Sequence, residues 1–263
     1  MLGAIAGDVI GSVFESRRRR IKHKEFALFD PPRWFTDDTV LTVAVAWALL
    51  NDRDYGRWVR EFALRYPNRG YGGMFREWLL QEEPEPYGSW GNGSAMRVSP
   101  VGFALDDEQE VLAEAKRSAE ITHDHPEGIK GAQATALAVY LARRGCSKAV
   151  IRDEIQQRFG YDLQATLDEV RYEWRLDVSC QTSVPAALIA FFESESLEDA
   201  IRNAISLGGD SDTLACIAGG VAEAFYGPVP REIVQPVREV LDSELWSVVV
   251  AFYQRFGLGL LEC

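Results

Sequence analysis

Two short acidic segments, far apart in the chain, carry the residue types best suited to catalysis. They read FTDDT at residues 35–39 and GGDSDT at residues 208–213, and each precedes an apolar, helix-like run. Carboxylate and hydroxyl oxygens are hard ligands that suit Mg²⁺ or Mn²⁺ and do not suit zinc or copper. If the fold brings the segments together, their paired aspartates could hold two cations about 3.5–4 Å apart, an arrangement that promotes displacement reactions.

Helix capping is the alternative use of these residues, because Asp and Thr commonly accept the free N–H groups of a first helical turn. Capping needs one side chain, whereas each segment offers at least three. Asp37 and Asp38 repel each other, and a cation beside them would relieve that repulsion. Gly208 and Gly209 let the backbone turn sharply ahead of Asp210. Taken jointly, the two segments favour a metal site over two caps.

A glycine-rich segment, GSWGNGSAMR at residues 88–97, is a candidate phosphate-binding loop. Exposed backbone N–H groups at the start of a helix would favour an anion there. The segment lacks the P-loop lysine and the Rossmann spacing, so a plain loop-to-helix turn is the alternative. Trp90 could stack on a nucleobase, although packing is the commoner role of tryptophan.

Two further segments, THDHP at residues 122–126 and DVSCQTSVP at residues 177–185, also contain reactive side chains. The chain has one other histidine, His23, so His123 is predicted to hydrogen-bond a substrate hydroxyl or a carbonyl rather than to ligate a metal. Cys180 is not predicted to be a nucleophile, because the sequence places no histidine beside it and buried thiols are usually inert.

Composition excludes several classes of partner. The net charge of −12 over 263 residues argues against nucleic acid or an anionic membrane surface. Residues 17–20, four consecutive arginines, are interpreted as a solvated loop, with an anion or acidic-partner patch as the alternative. The four cysteines show no CxxC spacing, and no signal peptide or 18-residue apolar run is visible. We expect free thiols in a reducing compartment, the cytoplasm.

Most of the sequence has helical periodicity, and strand-like alternation is nearly absent. These patterns predict one compact all-α domain of about a dozen helices, residues 1–263, stacked in layers around a buried centre. Helices are predicted over residues 39–50, 108–121, 129–142, 147–158, 162–172, 184–194, 197–207 and 214–225, with a further helix capped at Ser243.

The first predicted helix carries Gly3, Gly7 and Gly11 on one face. Glycine inside a helix costs about 1 kcal/mol relative to alanine, so this spacing indicates close approach to another helix or to a ligand. Asp8 and Glu15 lie near the same side of this helix. Glu15 falls at its C-terminal end, where a carboxylate is unfavourable unless a cation or a function holds it.

Together these segments resemble the ADP-ribosylglycohydrolase family, the type that includes the dinitrogenase reductase-activating glycohydrolase. The resemblance covers nearly the whole chain and keeps the family order of motifs. Ser94 departs from the glycine or alanine of many members, which is a minor change. The matching motifs are GDxxGxxxE at residues 7–15, TDDT at 36–39, GNGxxMR at 91–97, TH at 122–123, SVP at 183–185 and GGDSDT at 208–213.

The resemblance implies an all-α fold around a central binuclear Mg²⁺ site, with Mn²⁺ as a substitute. By motif position, Glu15, Asp37 and Asp210 are implied to be catalytic, and His123 to lie near the distal ribose of ADP-ribose. The implied diphosphate-binding loop comprises Gly88, Ser89, Trp90, Gly91 and Asn92. The implied metal ligands are Thr36, Asp37, Asp38, Asp210, Asp212 and Thr213.

The implied activity is Mg²⁺-dependent removal of ADP-ribose from ADP-ribosylated protein side chains, arginine first, or from related ADP-ribose conjugates. We expect a monomer. One alternative is a non-catalytic ADP-ribose-binding or structural relative, which would lack some ligands, whereas all six positions and Glu15 hold suitable residues here. The other is a different Mg²⁺-dependent phosphate-ester hydrolase, which would release phosphate.

Overall fold

The computed structural model describes residues 1–29, 33–173 and 176–260, and across them the chain is helical, which confirms the predicted all-α class. An isolated bridge between Gly91 and Ser179 is the only β-type pairing in these ranges. A 3₁₀ turn, Ser12–Phe14, follows the first helix. The helices are α1 (Leu2–Gly11), α2 (Asp37–Leu50), α3 (Tyr55–Arg65), α4 (Gly73–Leu79), α5 (Gly93–Met96), α6 (Ser99–Ala104), α7 (Glu108–Glu120), α8 (Pro126–Arg143), α9 (Lys148–Phe159), α10 (Leu167–Glu173), α11 (Cys180–Phe192), α12 (Leu197–Ile205), α13 (Ser211–Tyr226), α14 (Arg231–Val240) and α15 (Ser243–Arg255).

The centre of the molecule is the pair formed by α1 and α13. Every residue of α1 is buried, and α13 also contacts α8, α11 and α12. A Cβ on Gly3 would lie 2.4 Å from the carbonyl oxygen of Gly219, and one on Gly11 would lie 2.5 Å from that of Ser211. The predicted close approach is therefore confirmed, and its partner is another helix.

Some helix boundaries differ from those expected. The helix α10 begins at Leu167 rather than near residue 162, because Asp162 accepts the N–H of Gln164 in a local turn. The helix α15 begins at Ser243, but its cap is the preceding residue, Asp242, which accepts the N–H of Leu245. Neither difference moves a residue of the acidic segments.

The start of α11 depends on tertiary contact. Cys180 N–H donates to the Trp90 carbonyl, and Asn92 N–H donates to the Val178 carbonyl. This bridge joins the glycine-rich segment to α11 and starts the helix at Cys180, four residues before the predicted position. Within the described ranges, no helix has the length and apolar character that crossing a bilayer would require.

Candidate active site

The two acidic segments meet at one cavity of about 340 Å³. One begins α2 and the other begins α13, so both helix N-termini face the same space. Asp38 Oδ2 accepts the Thr213 hydroxyl at 3.2 Å and lies 3.3 Å from the Thr36 hydroxyl oxygen, whose proton goes to Asp8. The cavity wall includes Glu15 and all six residues implied as ligands, Thr36, Asp37, Asp38, Asp210, Asp212 and Thr213.

Capping accounts for only part of this cluster. Thr36 caps α2 by accepting the N–H of Asp38. Asp210 occupies the cap position of α13 but makes no capping hydrogen bond, and its Oδ2 instead accepts Asn92 Nδ2 at 2.7 Å. Asp38 Oδ1 is buried and has no hydrogen-bond partner among the described residues. Buried carboxylate oxygens of this kind require a partner, and a divalent cation fits them.

The electrostatics of the cluster lead to the same conclusion. Burial raises the pKa of Asp38 well above its usual range, and the carboxylates of Asp8, Asp37 and Asp210 raise it further. Burial and the same kind of repulsion raise the pKa of Asp37 to about 8 and that of Asp212 well above normal. A cation bound among these groups would offset both the cost of burying the carboxylates and the repulsion between them.

Asp8 holds the start of α2 in place from the layer behind the cavity. Its buried carboxylate accepts the backbone N–H of Thr36 at 2.9 Å and that of Thr39 at 3.1 Å, together with both threonine hydroxyls. These contacts fix the orientation of the TDDT turn. The sequence placed Asp8 beside Glu15 but assigned it no role.

Glu15 lies at the exposed rim, just after the 3₁₀ turn that follows α1. One carboxylate oxygen from each of Glu15, Asp210 and Asp212 falls within 4.8 Å of the others. Partial burial, with repulsion from Asp210 and Asp8, raises the pKa of Glu15. The side chain is therefore poised between the cluster and solvent, where it can exchange a proton.

The glycine-rich segment forms the neighbouring wall through Ser89, Gly91 and Asn92. Asn92 Nδ2 donates to Ser183 Oγ at 3.1 Å as well as to Asp210, which ties this wall to α11 and to the second acidic segment. The SVP and GGDSDT motifs thus meet at one asparagine.

The other two residues of the implied diphosphate loop lie outside the cavity lining. Gly88 adopts φ of +65° and donates its N–H to Asp124 Oδ1 at 2.7 Å. Trp90 is 52% exposed, with its ring 5.4 Å from that of His125. The exposed face of Trp90 is available to a ligand outside the cavity.

Comparison with known proteins identifies the family. Residues 1–259 match the family model described as ADP-ribosylglycohydrolase. The chain belongs to this family.

Two curated relatives illustrate its range. The chain is 30% identical to "ADP-ribosylhydrolase ARH3" of Mus musculus, in an alignment that covers 86% of this chain and 82% of the relative. It is 25% identical to "ADP-ribosyl-[dinitrogen reductase] glycohydrolase" of Rhodospirillum rubrum, in an alignment that covers 98% of this chain and 95% of the relative. The predicted resemblance and the predicted enzyme class, a glycosidic-bond hydrolase, are both confirmed.

A solved structure supports the fold assignment. The protein titled "ADP-ribosylglycohydrolase-related protein complex" superposes with a TM-score of 0.72 at 26% identity, covering 97% of this chain and 95% of that one. The all-α architecture described above is therefore the ADP-ribosylglycohydrolase fold.

Part of the cavity of this ADP-ribosylglycohydrolase comes from residues that the sequence did not indicate. The loop after α3 contributes a wall, anchored where Asp37 N–H donates to the Arg69 carbonyl at 2.8 Å. Paired glycines at 72–73 were an available signal, because they mark a flexible approach to a site. The lining residues outside the segments noted from the sequence are Leu41, Gly70, Gly72, Gly73, Met74, Phe75 and Tyr87, and four that lie inside those segments but were given no role are Gly93, Met96, Arg97 and Val178.

His123 lies in the cavity wall. The ring is 5% exposed, and its Nδ1 is 2.7 Å from the Thr122 hydroxyl. Burial, with the charge of Arg97, holds the pKa of His123 well below its usual range. The ring is therefore neutral at physiological pH and acts through hydrogen bonds rather than charge.

Proposed function

We propose that this chain is a Mg²⁺-dependent hydrolase that removes ADP-ribose from ADP-ribosylated protein side chains. The bond cleaved joins the side chain to the anomeric carbon of the distal ribose. One observation carries the proposal: a buried carboxylate cluster with an unpartnered oxygen, Asp38 Oδ1, lies beside the glycine-rich wall in a member of this family.

Two Mg²⁺ ions are proposed to bind at this cluster, with Mn²⁺ as a substitute. Bound there, such cations would polarise the distal ribose hydroxyls and a water molecule. The buried oxygens and raised pKa values, in a cluster made of carboxylates and threonine hydroxyls, support hard divalent cations. The proposed ligands are Thr36, Asp37, Asp38, Asp210, Asp212 and Thr213.

Binding an anionic diphosphate in a protein of net charge −12 needs a local reversal of sign. Cations at the acidic cluster would supply part of it. In the glycine-rich wall, the Ser89 hydroxyl supplies a neutral donor, and the Asn92 amide would supply a second by exchanging Ser183 or Asp210 for the ligand. We propose that Ser89, Gly91 and Asn92 bind the diphosphate within the cavity, that Gly88 shapes the loop, and that Trp90 packs against the ligand from outside.

Glu15 is the proposed residue at the reacting carbon. Hydrolysis breaks the bond between that carbon and the leaving nitrogen or oxygen, water supplies the new oxygen, and a water proton ends on the leaving atom. The transition state has oxocarbenium character. The Glu15 carboxylate can stabilise that positive charge and move the proton, with Asp37 and Asp210 completing the catalytic set. Burial and repulsion from Asp210 and Asp8 raise the pKa of Glu15, which makes it a better proton carrier than a free carboxylate.

The first linkage to test is ADP-ribosyl-arginine, by analogy with the R. rubrum relative, whose name specifies an ADP-ribosylated protein. ADP-ribosyl-serine, poly(ADP-ribose) and O-acetyl-ADP-ribose contain the same ADP-ribose half. We propose that the enzyme acts as a cytoplasmic monomer. Size-exclusion chromatography would test the monomeric state.

The deciding experiment incubates the protein with ADP-ribosylated arginine and serine peptides plus Mg²⁺, with EDTA in a parallel sample, and separates the products by chromatography. Mg²⁺-dependent release of ADP-ribose from one peptide supports the proposal and names the linkage. Tight ADP-ribose binding without release from either peptide indicates a non-catalytic reader or another scissile bond. Release of phosphate instead supports the phosphate-ester alternative.

A further inference from the structure

Arg97 is a buried cation whose cost the proposed chemistry does not explain. Its side chain is 0% exposed, and none of the ion pairs found in the described ranges includes it. Its Nη2 donates to the Ser118 carbonyl at 2.8 Å and to Thr122 Oγ1 at 2.9 Å, whereas Nε and Nη1 have no partner among the described residues. Burial lowers the pKa of Arg97 to about 10, so the group stays charged at neutral pH. An unpaired buried cation destabilises the folded protein, so a charged residue at this position indicates a role beyond packing.

The hydroxyl of Thr122 connects this cation to His123. Thr122 is fully buried, and its Oγ1 lies 2.9 Å from Arg97 Nη2 and 2.7 Å from His123 Nδ1. A guanidinium can only donate, so Oγ1 accepts the hydrogen bond from Arg97. His123 Nδ1, at 2.7 Å, is then the closest acceptor that the described contacts offer to the hydroxyl proton. If Nδ1 carried its own proton, the Thr122 proton would have to turn to the Tyr87 hydroxyl, which also interacts with Thr122.

The field of the guanidinium acts in the same direction. A positive charge one hydroxyl away disfavours an N–H dipole pointing toward it and favours a lone pair. The Tyr87 ring packs near the histidine, with centroids 6.0 Å apart, and donation from its hydroxyl to Thr122 Oγ1 would keep the same polarity. Local hydrogen bonding and electrostatics therefore both favour an unprotonated Nδ1.

We infer that Arg97, through Thr122, locks His123 in the neutral tautomer that carries its proton on Nε2. The histidine is then a fixed hydrogen-bond donor into the cavity. Arg97 and Thr122 are positioning residues in this arrangement, since neither needs to touch the ligand.

The Nε2 edge of the ring lies against the glycine-rich wall. A Cβ on Gly93 would fall 3.1 Å from Nε2, and one on Gly91 would fall 3.6 Å from it. A donor at this place selects an oxygen lone pair of the ligand, from a ring oxygen, a hydroxyl or a phosphate. It cannot act as a base at Nε2. The role of Nε2 as a donor to the ligand rests on the proposed function, whereas the tautomer inference does not.

Nitrogen-15 NMR of the histidine side chains tests the tautomer without substrate or metal. The chain has three histidines, so His→Gln variants assign each ring. His125 is an internal reference, because its Nδ1 accepts the backbone N–H of Glu127 and must be unprotonated. We expect His123 to show a pyridine-type Nδ1 and a pyrrole-type Nε2, in a single population that does not titrate over the neutral range.

Substitution at Thr122 tests the lock. Thr122→Val keeps the volume but removes the hydroxyl, so a second His123 tautomer should appear or the Nδ1 resonance should lose its hydrogen-bonded shift. Thr122→Ser should restore the wild-type spectrum. Thr135→Val is the matched control, because Thr135 is also buried but its hydroxyl has no partner among the described residues.

Calorimetric titration with ADP-ribose tests the donor role. Thr122→Val should weaken binding about five- to tenfold, the worth of one hydrogen bond, while Thr122→Ser and Thr135→Val should not. A protonated Nδ1 in the wild type, or an unchanged His123 spectrum in Thr122→Val, would overturn the tautomer inference. If the wild-type protein does not bind ADP-ribose, the proposed function fails while the NMR result still stands. If the NMR spectra support the tautomer inference but Thr122→Val binds ADP-ribose with unchanged affinity, the donor role alone is overturned.

Discussion

A Cβ on Gly7 would lie 2.0 Å from the carbonyl oxygen of Ala215, so α1 and α13 touch backbone to backbone. Asp8 follows Gly7 on α1 and orients the start of α2. Asp212 lies one turn before Ala215 on α13 and faces the same cavity. The contact between Gly7 and Ala215 therefore sets the separation of the two acidic segments.

Gly7→Ala should destabilise the protein by about 3 kcal/mol or more, because neither backbone can yield without moving a helix. Thermal melting and urea unfolding measure the loss, and Mg²⁺ affinity should fall with it. Gly56→Ala is the control, since a Cβ there meets nothing closer than 3.8 Å and alanine is the better helix former. Equal stability of the Gly7→Ala and wild-type proteins would contradict the packing described.

Asp210→Asn should weaken Mg²⁺ binding and activity together, because it removes one of the charges proposed to hold the cations. Isothermal titration with Mg²⁺ and the ADP-ribose release assay measure the two effects. Asp153→Asn, an exposed position on α9, is the control for loss of a carboxylate. A variant at Asp210 with wild-type Mg²⁺ affinity would remove this residue from the ligand set.

Glu15→Gln should lower turnover by roughly 10²–10⁴-fold, the usual range for a lost acid–base group, while leaving Mg²⁺ binding largely intact. The amide keeps the size of the side chain but cannot carry the proton or the charge. Glu25→Gln, also exposed and in the same connecting segment, is the matched control. Unchanged turnover in Glu15→Gln would exclude this residue from the mechanism.

Without metal, stability should fall as the pH rises. The folded-state pKa of Asp37 is about 8 against an ordinary value of 3.8, and those of Asp38 and Asp212 are also raised. Between pH 3.8 and about pH 8 the folded protein binds more protons than the unfolded chain, so the free energy of unfolding decreases as the pH rises. Melting temperature in EDTA should drop from about pH 5 to about pH 8, and saturating Mg²⁺ should remove most of the drop. A melting temperature that climbs in EDTA over this window would show that the cluster is already compensated.

Thiol alkylation should leave the activity unchanged. Burial raises the pKa of Cys180 to about 12 and that of Cys216 well above its usual range, so both are protonated and shielded at neutral pH. Iodoacetamide followed by peptide mass mapping should modify half-buried Cys146 in preference to these two. Cys263 lies outside the described residues. Rapid labelling of Cys180 with loss of activity would reopen its role as a nucleophile.

The sequence was informative wherever one short segment carries its own signal. Helical periodicity predicted the all-α class, and the spacing of Gly3, Gly7 and Gly11 predicted a close helix contact. The acidic segments indicated hard-cation chemistry because carboxylates and hydroxyls in that density have few other uses. Local propensities and ligand chemistry are properties of the residues themselves, so they survive without coordinates.

Only the tertiary structure decided which distant side chains share an environment. It brought Asp38 to Thr213, joined Asn92 to both Asp210 and Ser183, and supplied the wall around Phe75. Burial, which raises the carboxylate pKa values, is likewise a property of the packed molecule. The contacts of Arg97 with Thr122 span 25 residues of sequence, and no local pattern encodes them. The residue types that can do chemistry were thus set by sequence alone, whereas their partners, protonation and orientation depend on long-range packing.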